Sequence, residues 1–275
     1  LSKILSPLEL VYSSNKTRIF IKKDYLIHLG TGTKFRKALG IKSYLESKKI
    51  QSIELTGSLH GNFLSSFAYL FSNWGYEVFI SSHTKNPNLV TNNSKIAKKY
   101  SIPSQNCNDS FVFKIPEYGF MRESLFYLDD IWKEISAELS SSEFKIILEV
   151  GSGLTLLSAL TNNHYVKAVS IGENSQNFKK SFRDKLSILG LDKGDWGSWE
   201  VWDPLFQKRF GSVNAKTYHH LEELERKYNI PLEPIYSGKS WILIDKWINE
   251  NQLLGDFVYL HQGGLWNHHP ELCPL

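Results

Sequence analysis

Lys145-Ile146-Ile147-Leu148-Glu149-Val150-Gly151-Ser152-Gly153-Leu154-Thr155 decides the fold class. A run so rich in Ile, Leu and Val, broken only at Glu149, is a strand buried on both faces, and such strands belong to parallel sheets covered by helices. The glycine turn after Val150 opens a helix from Leu154. Toward the N-terminus the same alternation repeats. Residues 17–21, 52–56, 77–81 and 111–113 have strand character, and 34–47, 60–74, 89–99 and 123–139 have helical periodicity. Toward the C-terminus, 166–171 follows as a strand. Residues 196–206, with Gly197, Asp203 and Pro204, predict a long aromatic loop, and 216–228 a charged surface helix. The pattern predicts an α/β fold with parallel sheets flanked by helices. Ser140, Ser141 and Ser142 mark a candidate hinge or domain crossing.

The chain has 275 residues, 41% hydrophobic and 22% charged, which excludes disorder as a whole. Its charge, 32 − 28 = +4, is too mild and too evenly spread to demand nucleic acid or an anionic membrane. Cys107 and Cys273 cannot build a disulfide framework. No run of about 18 uncharged apolar residues exists to span a bilayer; the most apolar stretch, 62–80, is interrupted by Asn73 and Glu77. Residues 1–13 show no secretory signal, so a reducing cytoplasm is expected.

Three strand-to-helix junctions carry glycine where a side chain would crowd a ligand. At the first, Gly30-Thr31-Gly32-Thr33-Lys34-Phe35-Arg36-Lys37 puts a lysine at a helix opening. Phe35 stands where a dinucleotide turn needs its third glycine, and the spacing from glycine to lysine is wrong for a nucleotide phosphate loop. That leaves a solvated basic turn or a lysine aimed at a ligand. At the second, Thr56-Gly57-Ser58-Leu59-His60-Gly61-Asn62, the glycines admit a planar or anionic ligand, and Asn62 is either a ligand-facing amide or a helix cap. The third, Gly151 to Thr155, offers backbone N–H groups, the helix dipole and the hydroxyls of Ser152 and Thr155. It is a phosphate cradle or a tight turn without ligand. A phosphate cradle at one junction and a lysine at another suit a phosphorylated aldehyde, and pyridoxal 5′-phosphate fits. Its aldehyde forms a Schiff base with a lysine, and its ring is an electron sink.

These residues resemble the fold type II pyridoxal-phosphate enzymes, specifically the group of 1-aminocyclopropane-1-carboxylate deaminase and D-cysteine desulfhydrase. Five stretches follow in the same order along most of the chain. Gly32-Thr33-Lys34-Phe35-Arg36-Lys37, preceded by the lysine-rich Ile21-Lys22-Lys23-Asp24, is similar to GNKxRK and makes Lys34 the Schiff-base lysine. Gly57-Ser58-Leu59-His60-Gly61-Asn62 is similar to GG-I-Q-S-N and puts Asn62 on the cofactor's ring hydroxyl. Gly151, Ser152, Gly153, Leu154 and Thr155 resemble the phosphate loop, and Tyr236-Ser237-Gly238-Lys239-Ser240 the Y-x-G-K-[AS] motif, whose tyrosine lies against the ring. Residues 258–264, ending His261-Gln262-Gly263-Gly264, resemble the closing strand and its H-x-G-G turn.

The departures bear on chemistry. Gly61 stands where the family has a proton-transferring serine, and Phe210 where it has a tyrosine that assists substrate chemistry. Gln262 and Ser237 are the candidates to face the pyridine nitrogen, and neither is a carboxylate. The nitrogen is therefore expected to stay unprotonated, which favours elimination over reactions that need a stronger sink. Leu154 replaces a family glycine, and the chain is somewhat short for the family.

The expected architecture is a smaller α/β domain at 47–141 inserted in a larger one made of 1–46 and 142–275, with the cofactor between them, in a homodimer. The expected activity is that of a lyase or deaminase on a small amino acid, desulfhydrase-like β-elimination ahead of cyclopropane opening. Lys34 holds the cofactor and then, as a free amine, moves the α-proton. His60, beside Gly61, is either the replacement for the missing serine or a packed turn histidine. Racemisation, β-replacement in a biosynthetic pathway and non-catalytic cofactor binding are the alternatives. No metal is expected at His268, His269, Glu271 and Cys273, where the histidines are adjacent and only one thiol is present. Trp196, Trp199 and Trp202 are expected to pack a loop or a subunit contact.

Overall fold

The computed structural model describes residues 5–106, 112–140, 143–191, 196–205 and 215–275. In chain order its elements are β1 (Leu8–Ser13), β2 (Thr17–Lys22), α1 (Thr33–Ser47), β3 (Ser52–Ser58), α2 (Asn62–Asn73), β4 (Glu77–His83), α3 (Asn92–Lys99), β5 (Ile102–Pro103), β6 (Phe113–Ile115), α4 (Asp129–Leu139), β7 (Lys145–Val150), α5 (Leu154–Thr161), β8 (Val166–Ser170), α6 (Ser175–Ile188), β9 (Trp199–Trp202), α7 (Ala215–Tyr228), α8 (Ser237–Asn249) and β10 (Gly255–Leu260). They form two units, Leu1–Asp24 with Asp129–Gln262, and Tyr25–Leu128 with Gly263–Leu275.

The first unit is built on a sheet of order β1-β2-β10-β7-β8-β9, parallel except for the β1–β2 pair. Ile146, Ile147 and Leu148 of β7 have no exposed surface, as a doubly covered central strand requires. Ile19, Ile21, Ile147 and Tyr259 of the sheet pack with Leu221 and Leu224 of α7 and with Trp241, Ile244 and Trp247 of α8. Each such side chain contributes about 1.5–3 kcal/mol of burial. The second unit holds a parallel sheet of order β5-β4-β3-β6. Its core joins Ile53 and Leu55 to Ala38, Ile41 and Leu45 of α1, Leu64, Phe67 and Phe71 of α2, and Trp266.

The fold class is the one legible in 145–155, and the differences are local. The unit divisions fall at Asp24/Tyr25, Leu128/Asp129 and Gln262/Gly263, where the sequence suggested 46/47 and 141/142. Helix α1 belongs with the second unit because its apolar face shares a core with α2, and the C-terminal segment belongs there through Trp266. Ser141 and Ser142 lie outside the described residues. The expected loop at 196–206 contains β9 instead, an edge strand paired with β8. Gly197, which signalled a loop, is a close-approach glycine: a Cβ there would lie 2.2 Å from the His164 carbonyl oxygen. The helix expected over 123–139 starts only at Asp129, and Arg122–Leu125 is a 3-10 turn. That turn is drawn onto α1 at Gly40, where a Cβ would fall 1.9 Å from the Glu123 oxygen. Among the described residues no helix is long and apolar enough to cross a membrane.

Candidate active site

In the second unit, two glycine turns interlock at the opening of α1. Gly32, at φ 61° and ψ −136°, precedes the helix without a side-chain cap, in a region of backbone space that a Cβ disfavours. Gly263 (φ +80°) lies so close that a Cβ would meet the Gly30 oxygen at 2.7 Å and the Gly32 Cα at 3.1 Å. The Trp266 indole donates to the Leu29 oxygen at 2.6 Å and pins the turn. Half-buried Lys34 follows, and Lys37 comes one helical turn later. Lys37 is 8% exposed. Burial, and secondarily the charge of Lys34, bring its ammonium down from 10.5 to about 7. No hydrogen bond or ion pair among the described residues engages it. From the sequence Lys37 stands only as the last residue of the Gly32 to Lys37 stretch, without a role of its own; the signal was its i, i+3 spacing from Lys34.

Asn62 opens α2, but its side chain does not cap the helix. Its Oδ1 accepts from Asn93 Nδ2 at 2.7 Å. Its amino group lies against Gly264, where a Cβ would come within 2.4 Å of Nδ2. Lys34, Asn62 and the Gly263-Gly264 turn are therefore elements of one unit. The His60 ring has Nδ1 3.2 Å from the Thr91 hydroxyl and Nε2 3.0 Å from that of Thr84. With both nitrogens engaged, the packed turn histidine is the alternative that this geometry favours. Ser58 was also overlooked. A Cβ on Gly61 would sit 3.4 Å from Ser58 Cβ, so a half-buried hydroxyl stands beside the position where Gly61 lacks one. In the sequence this is a swap, serine for a family glycine at 58 and glycine for a family serine at 61.

In the first unit, β7 runs through Gly151, Ser152 and Gly153 into α5. Gly153 takes a left-handed conformation, φ +93°, and a Cβ would strike the Phe182 ring at 2.7 Å. Glycine is thus required by both backbone and packing. A Cβ on Gly151 would meet nothing within 4 Å, so the turn is open there. No side chain caps α5, whose first bond runs from Leu157 N to Gly153 O at 2.8 Å. The N–H groups of Leu154 and Thr155 precede that bond and lack an intrahelical acceptor. Thr155 is 4% exposed.

Two buried acids organise the rest of this unit. Glu233 caps α8 from three residues before its cap position, accepting the N–H groups of Ile235 (2.8 Å), Tyr236 and Ser237 (2.8 Å), and so fixes the backbone of Tyr236. Burial nonetheless pushes its carboxyl up to about 7. Glu149 accepts from the Tyr259 hydroxyl and from Gln262 Nε2, and burial raises its carboxyl above the ordinary range. Neither acid was recognised from sequence, because Glu149 read only as an interruption in a strand. Phe210 lies outside the described residues. Trp199 packs on Phe182 and Trp202 on Trp247, with Lys167 over both Trp202 and Trp247. Among the described residues no cluster of three or more His, Cys, Asp or Glu side chains is arranged to hold a metal.

These groups fit a phosphorylated aldehyde. In the first unit, an open glycine turn with helix-start N–H groups suits a dianion. In the second, Lys37, buried without a counterion among the described residues, calls for an anion, and half-buried Lys34 and the Asn62 amide suit an aldehyde and a ring oxygen. No protein-family profile and no curated protein matches the sequence. Solved structures do. An ACC deaminase homologue is similar over 98% of this chain and 93% of its own, with a TM-score of 0.77 at 18% identity. A pyridoxal 5′-phosphate-dependent aspartate racemase is similar over 98% of this chain and 92% of its own, with a TM-score of 0.66 at 12% identity. A hydrogen sulfide-producing enzyme from Fusobacterium nucleatum is similar over 94% of each chain, with a TM-score of 0.65 at 13% identity. The likeness of the backbone shows that this chain has the fold of these proteins.

Proposed function

We propose that this protein is a pyridoxal-phosphate-dependent enzyme that eliminates a β-substituent from a small amino acid, as a desulfhydrase does. The observation that carries the reading is Lys37, a buried ammonium without an anionic partner among the described residues, one turn along α1 from Lys34. Burying a cation is costly unless an anion joins it, and the phosphate group of a bound cofactor would meet that need. When bound, the cofactor supplies an aldehyde for an amine and an electron-withdrawing ring.

The chain's own residues do the rest. Lys34 would hold the aldehyde and, as a free amine once substrate is bound, would move the proton at the substrate's Cα. Asn62 would donate to the ring oxygen; Tyr236, its backbone held by Glu233, is the residue the resemblance assigns to the ring. Ser58 supplies the hydroxyl that Gly61 lacks. Opening a cyclopropane offers no α-proton to Lys34 and needs a donor and a base at other carbons. A positioned acid or base contributes about 10²- to 10⁴-fold, so the phenylalanine at 210, and a hydroxyl at 58 in place of one at 61, leave that reaction slow. Elimination of a thiolate asks for less. The working form is a homodimer, which light scattering of the purified protein checks.

The test is an absorption spectrum before and after adding D- and L-amino acids, with assay of α-keto acid release. Spectral change and keto acid from cysteine, well above that from the cyclopropane substrate, are expected. Faster turnover of the cyclopropane would refute the argument from Gly61 and Phe210, and amino acid returned with inverted configuration would make the protein a racemase.

A further inference from the structure

The backbone oxygen of His60 can only accept, and through it the orientation of two side-chain amides is fixed. Asn93 has no exposed surface, and its Nδ2 lies 3.0 Å from the His60 oxygen and 2.7 Å from Asn62 Oδ1. Turning the Asn93 amide over would set its carbonyl oxygen against that of His60, so the amino group must face this way. One of its hydrogens goes to His60 and the other to Asn62. This orientation persists although it leaves Asn93 Oδ1 buried without a partner. Asn62 therefore gives its oxygen to Asn93, and its amino group is the end turned elsewhere, beside Gly264. The scaffold behind the pair is tied down. Asn93 N donates to Asn267 Oδ1 at 3.1 Å, and the Thr91–Ser94 capping box starts α3.

We infer that Asn93 is a positioning residue that sets the polarity of the Asn62 amide, so that a ligand oxygen arriving at Asn62 meets an N–H donor and not a carbonyl. The inference rests on the pyridoxal-phosphate reading and adds the residue behind its ring-oxygen partner. A donor stabilises an anionic ring oxygen and an acceptor repels it, so the orientation controls both affinity and the electronic state of the ring.

The experiment titrates cofactor-free protein with pyridoxal 5′-phosphate and records the dissociation constant and the visible absorption maximum. The variants are Asn93→Leu, Asn93→Ser, Asn62→Ala, Asn62→Asp and the Asn62→Ala/Asn93→Leu double variant. Asn93→Leu should weaken binding about tenfold and shift the maximum in the same direction as Asn62→Ala. It should add nothing in the Asn62→Ala background, since Asn93 acts only through Asn62. Asn62→Asp keeps the acceptor that Asn93 needs but presents a second acceptor outward, and should bind at least as poorly as Asn62→Ala. Asn93→Ser gives the same comparison if the leucine variant does not fold. Parent-like affinity and absorption maximum in the Asn93 variants, or losses that multiply in the double variant, would overturn the inference and leave the cofactor assignment standing. Parent protein that takes up no cofactor would remove both.

Discussion

Gln262 gives both amide hydrogens to Glu149, its Nε2 lying 2.8 Å from the Glu149 backbone oxygen and 3.1 Å from Oε2. Any further partner of this side chain must donate to its Oε1. Ser237, whose Oγ accepts from Glu233 N at 2.9 Å, keeps a hydroxyl proton to give. A ring nitrogen facing Gln262 would have to carry a proton to meet Oε1, whereas one facing Ser237 could accept the hydroxyl proton and stay unprotonated. From sequence alone, the absence of a carboxylate at both positions led to the unprotonated state in either case. Gln262→Glu places a second carboxyl beside a buried one that already holds its proton more tightly than usual. A carboxyl whose folded pKa is raised loses stability as pH rises through that range, so this variant should melt below the parent at neutral pH and recover on acidification to about pH 5. Thermal denaturation across that interval checks it; a deficit independent of pH would contradict the pairing.

Lys37 is charged below about pH 7 in the cofactor-free protein and neutral above it. A lysine whose folded pKa is lowered costs stability below its unfolded pKa, most of all under pH 7. Lys37→Met should therefore raise the melting temperature of the cofactor-free protein at neutral pH and weaken pyridoxal-phosphate binding about 10- to 100-fold. In the parent, binding above pH 7 must take up a proton, and affinity should fall by up to about tenfold per pH unit. Calorimetric titration in buffers of different ionisation enthalpy measures that uptake. Binding by the methionine variant as tight as the parent's would remove Lys37 from the phosphate site.

Thr155→Ala should lower cofactor retention while leaving the fold intact, and Cys273→Ala should change neither. Gly153→Ala forces a Cβ onto a left-handed backbone and into Phe182, and should cost about 1–3 kcal/mol of stability. Equal cofactor occupancy in the Thr155 variant and the parent would place the phosphate elsewhere.

Ser58→Ala tests the exchanged serine. Keto acid release should drop by about 10²-fold or more at unchanged cofactor affinity, and restoring a hydroxyl one step away, in Ser58→Ala/Gly61→Ser, should recover part of it. That Cβ fits only tightly, 3.2 Å from the Ser58 oxygen, so recovery is partial. Full activity in Ser58→Ala would end the assignment.

The strand–turn–helix at 145–155 was legible because burial on both faces leaves no polar alternation in Ile146, Ile147 and Leu148, and because Gly153 must be glycine. The unit divisions were not, since the tie between α1 and α2 is a shared core of residues far apart in sequence. Edge strand β1 has mixed burial and a register shift between Leu10 and Tyr12, which erases its alternation. At the site, glycines and Lys34 announced themselves through spacing. Glu149, Glu233, Asn93 and Lys37 did not, because what marks them is partnership or its absence in space: an amide turned by a backbone oxygen, and an ammonium buried without an anion among the described residues.

Reduction of the purified, cofactor-loaded protein with borohydride, followed by peptide mapping, addresses the central claim most directly. A yellow protein whose pyridoxyl label maps to Lys34 is the predicted result. A protein that stays colourless with added pyridoxal 5′-phosphate, or a label on Lys37, would contradict the account.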